Sequence, residues 1–214
     1  MTFRAYSLGM GRLFARMYDR VLQGAEDAGL RAWRANLLGP ASGVTLEVGS
    51  GTGLNLAHYP ATVTRLVAAE PSRHMRASLE VRAAQHRLAP EVIDAPAESL
   101  PFEDATFDTL VCTLVLCSVS DLDGCLNEMF RVLKPGGRLI YLEHVAHDGG
   151  WRKVFQHILE PAWRLWADGC RLTRSTGRHI EAAGFLIDER IDEDMPLAPF
   201  FVRPCLRGQA FRPN

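Results

Sequence analysis

Between Arg12 and Leu38 the apolar residues Leu13, Met17, Val21 and Leu22, then Ala28, Leu30, Trp33 and Leu37, recur at three- and four-residue steps. That period lines up one face of a helix, so the segment predicts two helices, closed by Gly39-Pro40. From Val44 to Val48 the pattern changes to a short β-branched run that leads into a glycine-rich turn, and helical composition resumes from Leu54 to Tyr59-Pro60. Strand, turn and helix follow in that order. Thr62 to Ala69 reads as a second strand stopped at Glu70-Pro71, because proline has no amide hydrogen to continue a ladder. Arg73 to Leu88 is helical, Val92-Ile93 is a brief third strand, and Thr109 to Val115 is a fourth, apolar on both faces as a central parallel strand must be. Asp121 to Leu133 is helical until Lys134-Pro135-Gly136-Gly137 breaks it, and Arg138 to Val145 is a fifth strand.

Strands alternating with crossover helices predict an α/β fold with a mostly parallel sheet covered on both faces. After His147 the rhythm changes. Trp151 to Trp166 is a helix crowded with aromatic residues, Thr173 to Ala183 is another, and the stretches Phe185 to Asp192 and Phe200 to Phe211 supply two closing antiparallel strands. The expected organisation is one domain. It divides into N-terminal lid helices (1–38), a ligand-binding core (44–147), a helical substrate lid (148–183) and closing strands (184–214).

Composition narrows the function classes. With 24 Lys and Arg against 25 Asp and Glu the net charge is −1, so no basic excess is available to neutralise a phosphate backbone, and nucleic acid is not an expected partner. The five cysteines are odd in number and contain no CxxC pair, which predicts neither a metal site nor a disulfide framework and suits a reducing cytoplasm. No stretch has the order of a signal peptide or approaches the ~20 apolar residues that span a bilayer. The Arg- and aromatic-rich stretch from Met10 to Leu38 is compatible with peripheral contact at a membrane surface.

Candidate chemistry begins at Glu47-Val48-Gly49-Ser50-Gly51-Thr52-Gly53, where the first strand ends, at the carboxyl edge at which open α/β sheets bind ligands. The G-x-G-x-G spacing is neither the dinucleotide fingerprint nor a P-loop. Glu70 ends the second strand seventeen residues after Gly53, where a carboxylate accepts hydrogen bonds from both hydroxyls of a ribose. Ala97 to Phe102 precedes the fourth strand and brings backbone groups to a base edge. Each element has a plainer reading, a tight turn without a ligand or a solvated loop glutamate. Their order and separations together fit one nucleoside site.

LEVGSGTG, the acid in AAEPS, AESLPFEDATFD and EMFRVLKPGGRLIYLEH resemble the class I S-adenosylmethionine (AdoMet) dependent methyltransferases of the ubiquinone/menaquinone C-methyltransferase type, over roughly Leu46 to His144. The resemblance implies a Rossmann-like fold with a helical lid. It implies that Glu47, Gly49, Ser50, Gly51 and Gly53 wrap the methionyl part of AdoMet, that Glu70 holds the ribose with Pro71, Ser72 and Met75 beside the adenosine, that Ala97 and Glu98 meet the adenine, and that Thr113 and Leu114 line the far wall. Pro96 stands where such enzymes often carry an Asp for the adenine amino group, leaving Asp94 or backbone carbonyls for that contact. Phe14 to Asp19 resembles a lid segment closing over AdoMet, in which Tyr18 reaches the methionyl carboxylate or simply packs.

Val111 to Val119, Glu143-His144-Val145-Ala146, Glu160-Pro161-Ala162-Trp163, Asp168-Gly169-Cys170 with Leu172-Thr173-Arg174, and Val202-Arg203-Pro204 are similar to the animal alkyl-thiol S-methyltransferases. This implies transfer of a methyl group to a small apolar thiol. A thiol of ordinary pKa about 8.5 needs its thiolate favoured by a cation or a base. His144 is the candidate base, with hydrogen bonding at a strand end as the plainer reading. Asp168 orients an imidazole or a lid backbone, with a helix-terminal cap as the plainer reading. Cys117 and Cys170 read as small buried side chains, and Trp151, Phe155, Trp163 and Trp166 as an apolar acceptor pocket or plain core. GTGLNLAHYP also resembles bacterial phosphatidylethanolamine N-methyltransferases, so an amine acceptor is the alternative. A non-catalytic AdoMet-binding regulator is the second.

Overall fold

The computed structural model describes residues 10–214, with the side chains of 10–14 and 16 outside that description. Phe14 and Arg16 of the expected lid segment therefore fall outside it. Helix α1 spans Met10–Ala25 and α2 Arg31–Leu38, joined by a wide turn, Glu26–Leu30, in which Gly29 leaves helical geometry at φ 139°. Strands follow as β1 (Gly43–Val48), β2 (Val63–Ala69), β3 (Glu91–Ile93), β4 (Phe107–Thr113), β5 (Leu133–His144), β6 (Leu186–Asp194) and β7 (Pro204–Phe211). Helices α3 (Arg73–Ala83) and α4 (Leu122–Val132) cross between strands, and α5 (Gly150–Trp166) and α6 (Thr176–Ala182) lie between β5 and β6.

The seven strands form one sheet in the order β3-β2-β1-β4-β5-β7-β6, parallel through β5, with β7 antiparallel to both β5 and β6. The α/β expectation holds. Strand alternation divides the core. Leu46, Val48, Leu110 and Cys112 face the side covered by Leu126 and Met129 of α4, while Leu66, Ala68 and Val111 face Leu37 and Leu38 of α2 and Leu79 of α3. The edge strand β6 carries Asp188, Glu189, Arg190, Asp192, Glu193 and Asp194, charges that discourage pairing with another chain.

Local differences have local causes. The helix expected after the glycine turn is only the short Leu56–His58 turn, since Asn55 and Tyr59 are drawn into buried hydrogen bonds. Lys134-Pro135-Gly136-Gly137 is an irregularity within β5, where the register against β4 shifts, and the last strand starts at Pro204 rather than Phe200.

Candidate active site

A cavity of about 600 Å³ opens at the carboxyl ends of the parallel strands. Of the residues singled out from sequence, Tyr18, Gly49, Gly51, Glu70, Pro71, Ser72, Met75, Ala97, Glu98, Thr113, Leu114, His144 and Asp168 line it. Two glycines are required where they stand. Gly49 has φ 65° and a Cβ there would lie 2.5 Å from Val115, whereas Gly51 has φ 56° and a Cβ would meet nothing within 4 Å, so its backbone is open to a ligand. Glu70 fixes that turn: its carboxylate accepts from the N–H of Gly51 and of Ser72, each at 2.8 Å. Burial raises the Glu70 pKa, opposed by those two hydrogen bonds. Ser72 also caps α3 by accepting from Met75 N–H. Glu98 accepts from the Ser120 N–H and hydroxyl, tying the segment after β3 to the one after β4. Leu114 and Asp168, both on the cavity wall, have left-handed backbones at φ 58° and 48°, a conformation that costs a non-glycine residue about 1–3 kcal/mol.

Three expected cofactor residues lie outside this cavity. Glu47 and Ser50 line a small recess that shares Tyr18, Gly49, Gly51 and Thr113 with the cavity, and Gly53 makes room for Leu79 and Leu56. Asp94 is also elsewhere, paired with Arg76. Beneath the turn is a buried polar network that the sequence reading missed. Arg34 of α2 pairs with Glu26 and donates to Asn55 Oδ1 and Thr113 Oγ1, while Asn55 Nδ2 and the Tyr59 hydroxyl donate to the two oxygens of Glu47.

Burial pushes the Glu47 carboxyl from 4.5 up to about 7, against those hydrogen bonds and the charge of Arg34. A carboxyl whose pKa is higher folded than unfolded binds its proton more tightly in the fold. Its contribution to stability is therefore greatest below about pH 4.5 and is lost as the pH rises to about 7. Glu47→Gln keeps the shape, with the Tyr59 hydroxyl turning to accept. It is expected to flatten this slope and to raise stability above neutrality by roughly 3 kcal/mol or less. Thermal melts from about pH 5 to about pH 8 read it; a profile identical to the parent's would mean that Glu47 ionises in the fold without penalty.

The other end of the cavity is built from the segments after β4, β5 and α5. His144 ends β5, 5% exposed, with Nε2 against Cys170 Sγ, and the Cys170 thiol donates to Cys117 Sγ at 3.7 Å. Cysteine spacing gave no sign of this cluster: ligand atoms of Cys117, His144 and Cys170 all lie within 4.8 Å of one another. The Cys117 pKa is drawn well below its ordinary value, first by the Cys170 hydrogen bond and then, against burial, by His144. Cys170 is pushed well up by the same contact. Burial lowers the His144 pKa, and the Cys117 sulfur outweighs it, for a net rise.

Glu143 and Arg174, neither of them expected as functional, hold this end together. The fully buried Glu143 carboxylate accepts from the N–H of Val115 and Cys117 at 3.0 and 3.2 Å, and Arg174 donates to the carbonyls of Leu116 and Val119. Two expectations are revised. Asp168 is exposed at the rim and does not touch His144, whose neighbour is Cys170. Trp163 and Trp166 line the cavity, but Trp151 and Phe155 pack on Phe200 outside it, because they lie two or more turns earlier along α5.

Comparison with known proteins identifies the family and agrees with the fold. The methyltransferase domain family matches residues 46–141. Thiol S-methyltransferase TMT1B of Homo sapiens is 37% identical over 171 residues, covering 78% of this chain and 70% of that protein. TMT1B of Rattus norvegicus is 35% identical over 208 residues, covering 95% and 84%. A solved structure from Thermotoga maritima, described as a SAM-dependent methyltransferase and possible histamine N-methyltransferase, superposes with a TM-score of 0.69 at 20% identity over 95% of this chain and 98% of that one. That likeness speaks to the fold alone. The fold, the domain match and the extent of the sequence identity lead to one conclusion: the chain belongs to the class I AdoMet-dependent methyltransferases, in the family of the thiol S-methyltransferases.

Proposed function

We propose that this enzyme transfers the methyl group of AdoMet to a small, apolar thiol. The observation that carries the reading is that one cavity joins the Gly51 and Glu70 turn at one end to His144, Cys170 and Trp163 at the other. The first end suits the cofactor. Gly51 leaves the backbone approachable, Glu70 offers carboxylate oxygens for two ribose hydroxyls, and Met75, Ala97 and Leu114 give apolar walls for a base. Bound AdoMet supplies an electrophilic methyl carbon on a sulfonium centre. The protein's contribution is alignment in a dry site: Trp163, Trp166 and Val202 surround the acceptor and exclude water. His144 is the polar group of this end that acts on the acceptor, and the kinship with enzymes named as thiol S-methyltransferases favours sulfur over nitrogen.

The test is incubation with labelled AdoMet and a panel of alkyl thiols, amines, phenols and phosphatidylethanolamine vesicles. Label is expected in the thiols, and calorimetry is expected to show binding of AdoMet and its demethylated product but not of NADH. Methylation of phosphatidylethanolamine without any thiol activity would place the chain with lipid enzymes. Cofactor binding without transfer to any acceptor class would favour a regulatory role. No helix among the described residues is long and apolar enough to cross a membrane.

A further inference from the structure

Three connections far apart in the chain deliver two sulfurs and a nitrogen to one point of the cavity wall. A tetrahedral ion with sulfur at about 2.3 Å and nitrogen at about 2.0–2.1 Å sets its ligand atoms about 3.6–3.8 Å apart. Cys117 Sγ and Cys170 Sγ already stand at 3.7 Å. His144 Nε2 now touches Cys170 Sγ, and a retreat of about 1 Å would complete the triangle. No hydrogen bond at the other ring nitrogen opposes it, since Nδ1 is buried without a partner. The scaffold sets the spacing. Glu143 holds the Cys117 N–H, and the Arg171 N–H donates to the Cys117 carbonyl at 2.8 Å, locking the two cysteine-bearing segments together. Two sulfurs with one imidazole are the donors of a thiophilic ion rather than of magnesium or calcium, and three protein ligands are the number found in zinc sites that keep a position open for substrate.

We propose that Cys117, His144 and Cys170 bind one zinc ion, and that its fourth position faces the cavity and takes the acceptor thiol. The second half rests on the thiol reading above; the first does not. A thiol on such an ion is deprotonated outright, its proton leaving to solvent. The sulfur lone pair then forms the new bond to the methyl carbon as the sulfonium–methyl bond breaks, giving a thioether and the demethylated cofactor. His144 thereby serves as a ligand, which accounts for its burial between two cysteines.

The experiment needs neither AdoMet nor turnover. Protein stripped with a chelator and kept reduced by a phosphine receives Co²⁺ without oxygen. One equivalent is expected to produce thiolate-to-cobalt charge-transfer absorption with a tetrahedral ligand-field band, and one equivalent of Zn²⁺ to abolish both. Cys117→Ser, Cys170→Ser and His144→Ala, each checked for folding by circular dichroism, are expected to weaken Zn²⁺ binding by roughly tenfold or more. Cys125→Ala, on the buried face of α4 and outside the cavity, is expected to leave it unchanged. Absence of the cobalt bands in folded, reduced parent protein would overturn the site. So would their persistence in the Cys117→Ser/Cys170→Ser double variant, or mass-spectrometric capture of a Cys117–Cys170 disulfide in a protein that takes up no metal when reduced. Adding 1-hexanethiol to the cobalt form is expected to strengthen the charge-transfer band as a third sulfur joins. A band that does not respond would overturn the acceptor's place on the ion while leaving the ion's own site standing. Thiol methylation by fully metal-free protein would likewise remove the ion from the reaction without touching the proposed substrate class.

Discussion

His144→Ala is expected to lower turnover by about 10²-fold or more while leaving the AdoMet dissociation constant nearly unchanged. The separation of the two effects follows from position. His144 closes β5 and its neighbour is Cys170, whereas the turn that suits the cofactor is fixed by Glu70 and Ser72 at the ends of other elements. A residue that acts on the acceptor contributes in the transition state, so its loss falls on kcat and on kcat/KM alike. Single-turnover rates with saturating thiol, set beside calorimetry of AdoMet, read both quantities. Full activity would take His144 out of the chemistry and leave alignment alone as the source of catalysis. An equal loss of cofactor affinity would mean that the cavity wall had collapsed.

Glu70→Ala is expected to weaken AdoMet by about 2 kcal/mol, roughly 30-fold, as two ribose hydroxyls lose a charged acceptor. The structure adds a second contribution. The same carboxylate holds the N–H groups of Gly51 and Ser72, so alanine also frees the turn that the cofactor must meet. Glu70→Gln keeps the volume and one accepting oxygen, and is expected to fall between parent and alanine variant. An unchanged dissociation constant in a folded Glu70→Ala protein would reduce Glu70 to a tether for its own loop.

Much of this was legible in the chain because it is local. The β-branched run into Gly49-Ser50-Gly51 fixes a strand end and its turn, and an acid at the end of the next strand needs only parallel pairing to arrive beside it, which β1 and β2 provide. The acceptor end is not local. Cys117 and Cys170 are 53 residues apart, and no spacing rule for paired cysteines joins them. Arg34, Glu143 and Arg174 are polar residues on segments that read as helix, strand and helix, and their roles exist only where those segments pack. Glu47 shows a second role that the motif does not express: its carboxylate accepts from Asn55 and Tyr59 in a recess that shares Tyr18, Gly49, Gly51 and Thr113 with the cavity. The aromatic residues of α5 divide between the cavity and Phe200, a partition that composition cannot express.

The order β3-β2-β1-β4-β5-β7-β6 reverses direction between β1 and β4, and the cavity opens at that reversal. Apart from Leu114, the residues proposed for the nucleoside follow the ends of β1, β2 and β3, and those proposed for the acceptor follow β4 and β5. The two sets touch where Val115 packs into the space left by the missing side chain of Gly49. Inheritance can therefore act on the halves separately: a lineage could replace residues 145–203, acquire a different nucleophile, and keep its methyl donor without altering a residue of the glycine turn.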